Sequence, residues 1–420
     1  MAPDPATPPP PGLRSRRRSL AAVPGTTAGL VAVGAAGMCA FLNLYASQPL
    51  LPLLERVFGV GKAQAAWTVS APTIAVALCS PFVGTLADRV GHRRIMVISL
   101  FALAVPTALA ATSQSIGQLI AWRFLQGLIV PGVYAVSLAY VGEAWAGGGV
   151  GRAMAALITG NVLGGFSGRF LSGIAADLAG WRSAFLLLGA CTAAGAVASA
   201  QWLPREKVRA RRATDPLHAL QALATRLDGR LAATYVVGFN VLFTQVALFT
   251  YATFHLVAPP YGLSVSALSS LFVVYLVGAV VTPFAGRWID RAGSLATIAA
   301  AVTAAIAGAL LTLAPPLWAV VAGLAVCCTA VFVSQSASTS FLQAAAADDV
   351  RATASGVYVS CYYLGGSVGG VLPALAWHVA GWTGVVALVA TVQVTTLALA
   401  LRFWRARPRS PGAVAGIPAA

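Results

Sequence analysis

Apolar runs about 20 residues long recur from one end of this chain to the other, separated by short charged turns. Wound as a helix, each run is long enough to cross a ~30 Å hydrocarbon core. Only 9% of the 420 residues are charged, where soluble domains average roughly 25%. The helices of a large soluble protein would need polar faces, and most of these runs have none. The pattern therefore predicts an all-α membrane protein.

The runs fall at about 27–50, 63–86, 95–113, 117–142, 153–176 and 181–203, then at about 231–256, 266–288, 295–314, 317–342, 353–378 and 381–403. That is twelve expected transmembrane helices in two six-helix bundles, 27–203 and 231–403. A Pro/Arg-rich tail, 1–26, precedes them, and a tail, 404–420, follows. The first apolar run is too long for the core of a cleaved signal peptide, so it reads as a retained span. Between the bundles lies a basic linker, 204–230, with Leu217, Leu220, Leu223 and Leu227 at helical spacing between its arginines. Such a segment is expected to lie on a membrane surface. Placing both termini in the cytoplasm puts 22 of the 27 Lys and Arg residues on that side. This asymmetry predicts the orientation.

A net charge of +16 could suggest a nucleic-acid partner, but the positive charges sit in the short turns. The expected partners are the lipid bilayer and a small-molecule substrate, with the chain acting as a monomer. The six cysteines (Cys39, Cys79, Cys191, Cys327, Cys328 and Cys361) all lie inside apolar runs. None has a His at metal-ligand spacing, so they read as small core residues rather than disulfides or a metal site. The soluble segments carry no nucleophile–base pair, metal cluster or phosphate loop, which argues against an enzyme and against ATP-driven transport by this chain alone.

The charged turn Gly84–Arg94, G-T-L-A-D-R-V-G-H-R-R, occurs twice. Gly84, Asp88, Arg89 and Gly91 recur as Gly286, Asp290, Arg291 and Gly293, an offset of 202. Leu163-Gly164-Gly165 with Gly168 recurs as Leu364-Gly365-Gly366 with Gly369, and Gly180-Trp181 as Gly381-Trp382, both at an offset of 201. Two parallel repeats imply a pseudo-two-fold axis along the membrane normal.

On these residues the chain resembles the major facilitator superfamily. Residues 84–96 are similar to that family's signature between spans 2 and 3, with His92 where a basic residue is usual. Arg123, Gln126 and Gly127 resemble the R-x-x-Q-G motif on span 4 of proton-coupled members. Gly160, Gly164 and Gly168 resemble the glycine motif on span 5 of antiporters, without its usual Gly-Pro pair. Tyr45–Pro52, Phe166–Arg169 and Ala258–Ser264 resemble the twelve-helix drug/proton antiporter branch, often labelled arabinose-efflux-permease-like. The resemblance implies the major facilitator fold, alternating access, no cofactor, and a proton gradient as energy source.

Roles follow for individual residues. Asp88 with Arg89, Gly91, Arg93 and Arg94 is expected to act as a latch. Asp88 would accept hydrogen bonds from the start of span 11 near Thr353–Gly356, while Gly84 admits a close neighbour. Gly286, Asp290, Arg291 and Gly293 form the weaker second latch. Arg123 lies several residues into a span, where an arginine needs a cavity or a partner. With Gln126 and Gly127 on the same helix face, it is expected to face the cavity and couple proton to substrate. Gly160, Gly164 and Gly168 would pack span 5 on span 8 between the halves, and Gly365, Gly366, Gly369 and Gly370 would do the same for span 11. Asp177 is expected to cluster with Arg169 and Arg182. His255 could titrate near neutral pH, but a lone histidine at a span end is more often a structural hydrogen bonder.

Candidate cavity residues are the polar and aromatic side chains deep in the spans: Asn43, Tyr45, Gln48, Asn161, Asn240, Gln245, Tyr251, Tyr275, Gln335, Tyr358 and Tyr362. No acid falls mid-span, so neutral or anionic, partly apolar substrates are favoured. The expected function is proton-coupled efflux of a small drug-like or sugar-like molecule across a bacterial inner membrane. A facilitator or importer on the same fold is the alternative, and a non-transporting receptor a more distant one.

Overall fold

The computed structural model describes residues 27–146, 148–205, 216–347 and 349–405. The terminal tails 1–26 and 406–420 and the linker residues 206–215 lie outside the described residues, and with them the predictions made there. The helices in order are α1 (Thr27–Leu44), α2 (Leu51–Phe58), α3 (Lys62–Val90), α4 (His92–Ala110), α5 (Ile116–Ile129), α6 (Pro131–Ala144), α7 (Val150–Ala179) and α8 (Trp181–Trp202). Then come α9 (Pro216–Arg226), α10 (Gly229–Val257), α11 (Val265–Leu271), α12 (Val274–Leu311), α13 (Leu317–Ala345), α14 (Arg351–Val371) and α15 (Pro373–Phe403). Among the described residues, nine helical stretches are long and apolar enough to cross a membrane. Helices α7 and α14, of 30 and 21 residues, have the length, but Gly, Ser and other polar residues dilute their hydropathy. Large apolar side chains face outward in numbers a soluble protein would not tolerate, among them Leu178 at 82% and Val379 at 88% exposure.

Prolines inside helices decide much of the polar wiring. A proline has no N–H, so it orphans the carbonyl four residues earlier, and that carbonyl must find another donor in a dry interior. Pro72 in α3 orphans Thr68 O, which accepts from Arg123 Nε at 2.9 Å and from Ser47 Oγ at 3.1 Å. Pro81 orphans Ala77 O, which accepts from Ser360 Oγ on α14 at 3.0 Å. Pro49 interrupts the run begun by α1, and a 3₁₀ turn at Gln48–Leu50 bridges to α2.

The 201-residue repeat is carried by side-chain contacts as well as by sequence. A Cβ on Gly164 would lie 2.1 Å from Met38 O, and one on Gly365 1.9 Å from Phe239 O. A Cβ on Gly168 would lie 2.0 Å from Leu42 O, and one on Gly369 2.5 Å from Phe243 O. Asn43 Nδ2 donates to Thr192 Oγ1 at 2.9 Å, and at the equivalent positions Gln393 Nε2 donates to Thr244 Oγ1 at 2.9 Å. The two hinge glycines also correspond: Gly91 has φ 103° and Gly293 φ 80°, conformations that a side chain would strain.

These contacts correct the expectation for the glycine motifs. Gly160, Gly164 and Gly168 do allow close approach, but of α7 to α1, not to the eighth span. Gly365 and Gly369 likewise pack on α10. The contacts between the two sets of helices fall to Gly173, against Ser269 in α11, and to Gly370, against Ser70 in α3. Each glycine ridge thus brings its helix backbone against that of a helix of its own set.

Helix α9 corrects the surface-helix expectation in part. Leu223 is 4% exposed and packs with Leu342, Val350 and Ala354, while Leu227 is 51% exposed. Arg226 reaches Asp349 at 3.1 Å. The helix is thus docked on protein at the α13–α14 turn.

Candidate functional site

A cavity of about 590 Å³ lies between helices α1, α6 and α7 on one side and α10, α12, α13 and α14 on the other. This is the size range of small-molecule sites. Tyr45, Tyr134, Tyr358, Tyr362 and Tyr363 give it aromatic walls, and Asn161, Gln245 and Gln335 supply polar points. Towards the α13–α14 turn it is lined by Gln343 and Ser355, which hydrogen-bond at 3.0 Å.

The other end is sealed. Ser70 Oγ donates to Ser367 O at 2.8 Å and Ser367 Oγ returns a bond to Ser70 O at 3.1 Å, tying α3 to α14. Gln48 Nε2 donates to Thr250 Oγ1 at 3.2 Å across the repeat axis, these two positions being related by 202 residues. Outside them, Lys62 pairs with Glu55 at 2.9 Å and lies over the rings of Phe254 and Trp377.

Of the predicted cavity residues, Tyr45, Asn161, Gln245, Tyr275, Gln335, Tyr358 and Tyr362 line the cavity. The other four hold helices together. Asn43 bridges Thr192 and Thr107, Asn240 pairs with Thr396, Tyr251 donates to Gly370 O at 3.1 Å, and Gln48 sits behind the cavity wall. A short polar side chain deep in a helix has an unmet hydrogen bond whether it faces a cavity or a neighbour, so sequence alone could not separate the two groups.

Arg123 is not at the cavity. It is 1% exposed, and its guanidinium donates to Thr68 O, to Asn43 O at 2.7 Å, to Leu44 O at 2.6 Å and to Gln126 Oε1. Asn43 and Leu44 end α1, where Pro49 forces the break, so their carbonyls lack the usual helical donors. The positive group also sits at the negative end of the α1 dipole. Gln126 Nε2 donates to Pro106 O at 3.2 Å, and Gly127 lets α5 come so close to Pro72 that a Cβ would lie 2.2 Å from its carbonyl oxygen. In this geometry the R-x-x-Q-G motif mends the Pro72 break and the end of α1, and joins α1, α3, α4 and α5.

The charged residue that does line the cavity is Arg169. It is 2% exposed; Nε donates to Gln48 Oε1 at 2.7 Å, Nη1 to Gly165 O at 2.5 Å, and Nη2 reaches Tyr275 Oη at 3.5 Å. The rings of Tyr45, Tyr275 and Phe272 surround the guanidinium, with centroids 4.6, 4.4 and 5.1 Å away. Such contacts offset part of the ~2.5–3.5 kcal/mol that a charged side chain costs at membrane depth, each by about 0.5–2 kcal/mol. Asp177 is exposed and pairs with neither expected arginine; Arg182 instead donates to Ser113 O and stacks on Trp181. His255 stacks on Trp382 at 5.1 Å and meets Tyr261 edge-on, outside the cavity lining.

The latch contact is not formed in this state. Asp88 Oδ1 lies 3.4 Å from His92 Nε2, and His92 Nδ1 lies 3.2 Å from Glu143 Oε2 at the end of α6. Beyond the Ser360–Ala77 bond the α3–α14 seam parts: a Cβ on Gly84 or Gly356 would meet nothing within 4 Å. Arg93, expected in the latch, caps α8 through Leu203 O at 3.0 Å and Ala200 O at 2.6 Å. Arg89, Arg94, Gly286, Asp290 and Arg291 are exposed or half-buried at the helix ends.

Comparison with known proteins settles the family. The profile described as Major Facilitator Superfamily matches residues 33–370. The chain belongs to the Major Facilitator Superfamily. Among curated superfamily relatives, it is 32% identical over 378 residues to the "Inner membrane transport protein YnfM" of Escherichia coli, covering 89% of this chain and 90% of that one. It is 31% identical over 364 residues to the "Uncharacterized MFS-type transporter YybF" of Bacillus subtilis, covering 86% and 90%. Among solved structures, that of a mutant of the nucleoside transporter NupG superposes with a TM-score of 0.75 at 14% identity, covering 90% of this chain and 100% of that one. The human organic anion transporter MFSD10 (TETRAN) superposes at 0.67 with 19% identity, covering 89% and 99%. At such identities the superfamily fold is what these two structures share with this chain.

Proposed function

We propose that this chain is a secondary transporter that exports a small, partly apolar molecule across the bacterial inner membrane by alternating access, driven by the proton gradient. The observation that carries the reading is the cavity between two repeat-related sets of helices, reaching the exposed Gln343 near the α13–α14 turn and sealed by the Ser70–Ser367 and Gln48–Thr250 contacts at the other end. A cavity open at one end only is one half of an alternating-access cycle. In our reading the helices form twelve spans as two six-helix domains, with α11–α12 and α14–α15 divided at Gly293 and Gly381. Both termini are cytoplasmic and the open end faces the cytoplasm. In the opposite state the sealing contacts part, and the parted ends of α3 and α14 close, bringing Asp88 to the start of α14. Each chain holds a complete cavity, so a monomer suffices.

A second reading has its own support. Among the described residues no carboxylate lines the cavity, and an intramembrane acid is the usual proton carrier in pumps and transporters. A facilitator or importer needs none. Transport by the purified chain in proteoliposomes, with and without an imposed pH gradient, over a panel of dyes, antibiotics, sugars and organic acids, separates the two. Uphill movement that collapses with the gradient supports coupled efflux; equal rates in both conditions leave only the facilitator. Asp88→Asn in the same assay should lower the rate while membrane insertion is unchanged, and an unaltered rate removes the latch.

A further inference from the structure

We infer that Arg169 anchors the anionic end of the transported molecule, and that the cavity takes an organic monoanion with a flat apolar body. The inference rests on the cavity being the transport path, and it narrows the substrate class.

Charge is the first argument. Arg169 is the one charged side chain among the lining residues described, and no carboxylate among the described residues pairs with it. Its neighbours Gln48, Gly165 and Tyr275 supply neutral acceptors, so no opposite charge among them offsets the cation in this low-dielectric setting. There an opposite charge is attracted strongly and a like charge repelled. A cationic substrate is disfavoured, and a single cation suits a single negative charge.

Donor geometry is the second. A guanidinium has five N–H groups. Gln48 Oε1 and Gly165 O take one each at 2.7 and 2.5 Å, and the Tyr275 contact is long at 3.5 Å. At least two N–H groups therefore have no protein acceptor among the described residues. A carboxylate, which accepts two parallel N–H bonds from the guanidinium edge, fits that deficit. Arg123 provides the internal contrast, since backbone carbonyls and Gln126 occupy its donors.

The third argument is shape. The cavity is walled by Tyr45, Tyr134, Tyr358, Tyr362 and Tyr363 beside the arginine. Such walls favour planar or alicyclic bodies by offset or edge-on stacking.

Binding is tested on the full chain in lipid nanodiscs by calorimetric titration. The probes are benzoate, 2-naphthoate and indole-3-acetate, each beside its primary amide and its aminomethyl analogue. At least one acid should bind tenfold or more tightly than its amide, and no amine should bind better than the amide. Arg169→Gln should erase the acid's advantage while leaving the amide within threefold of wild type, and Arg169→Lys should keep part of it. A panel in which no acid outbinds its amide, silence included, overturns the anchor, as does an advantage that survives Arg169→Gln. The wild-type comparison stands alone if the glutamine variant does not fold. Transport in proteoliposomes is read separately. Lost acid preference with intact transport removes the anchor only, and intact preference without transport removes the transport reading only.

Discussion

Two arginines lie buried in the first six long helices, Arg123 at 1% and Arg169 at 2% exposure, and their surroundings are opposites. Arg123 is embedded in carbonyl oxygens that prolines and a helix end have left without donors. Arg169 is held by aromatic faces and neutral acceptors at the cavity wall. Burial and charge do not distinguish the two; the acceptor inventory does. A cation whose donors are filled by backbone is part of the frame, whereas one with donors to spare is poised for a ligand. The repeat sharpens the point. The position equivalent to Arg123 is Leu324, and α10, the counterpart of α1, runs unbroken from Gly229 to Val257. With no break to mend, no arginine is needed. Arg169 is matched by Gly370, which packs on Ser70, so the cavity cation too belongs to one repeat alone.

The largest expected effect is on stability. Arg123→Gln leaves Leu44 O without a donor and weakens the ties of Asn43 O and Thr68 O, and should cost about 3–5 kcal/mol, the scale of breaking a buried charged network. Arg169→Gln removes a cation that no carboxylate balances; relief of its burial offsets the lost contacts, and the cost should stay below about 1.5 kcal/mol. Reversible unfolding of both variants in mixed micelles measures the gap. Equal losses, or a larger loss at Arg169, would break the distinction between frame and site.

Next come the glycine contacts that the repeats share. Gly164→Ala and Gly365→Ala each push a methyl against a backbone oxygen now about 2 Å from the Cβ position. Each should cost about 1–3 kcal/mol, the scale of overpacking. The partners differ, Met38 for one and Phe239 for the other, so the double variant should lose roughly the sum. A marked inequality between the singles would mean that the repeats are alike in shape but not in energetics.

Much of this fold is legible in the sequence, and rather less of the site. Apolar runs about 20 residues long and a 201-residue repeat are properties of the whole chain, and they foretell the helices and the paired glycine ridges. Seven of the cavity residues can be picked out because a tyrosine or amide deep in a span has few places to be. The roles of the arginines are not legible, because they depend on which carbonyls lie opposite. A signal is nonetheless present. Pro72 announces a carbonyl without its helical donor, Thr68 O, and the break before Pro49 leaves the last carbonyls of α1 short of donors; a buried arginine close by in the fold is the obvious supplier. Counting proline-orphaned carbonyls before assigning intramembrane cations moves Arg123 from coupling to structure. Arg169 is assigned the wrong partner, because Asp177 lies near it in sequence, whereas in the fold Gln48, Gly165 and Tyr275 surround it.

The gentlest perturbation adds a single charge beside each arginine. Gln48→Glu puts a carboxylate where Gln48 Oε1 now accepts from Arg169 Nε, and Gln126→Glu does the same beside Arg123. Gln48→Glu gives up the donor to Thr250 Oγ1, but the threonine hydroxyl can rotate and donate to the new carboxylate. Stability should therefore change little, by about 1 kcal/mol or less, for a charge already facing a matched cation. Binding should change more. A resident carboxylate neutralises Arg169 and occupies the charge meant for the ligand, so the preference for an acid over its amide should fall at least tenfold. Gln126→Glu should leave that preference within twofold of wild type, because Arg123 does not line the cavity. The acid-to-amide affinity ratio, measured on both variants alongside wild type, decides the matter. An acid preference that persists in Gln48→Glu, or one lost equally in both, would mean that the two arginines do not divide the work as their acceptors indicate.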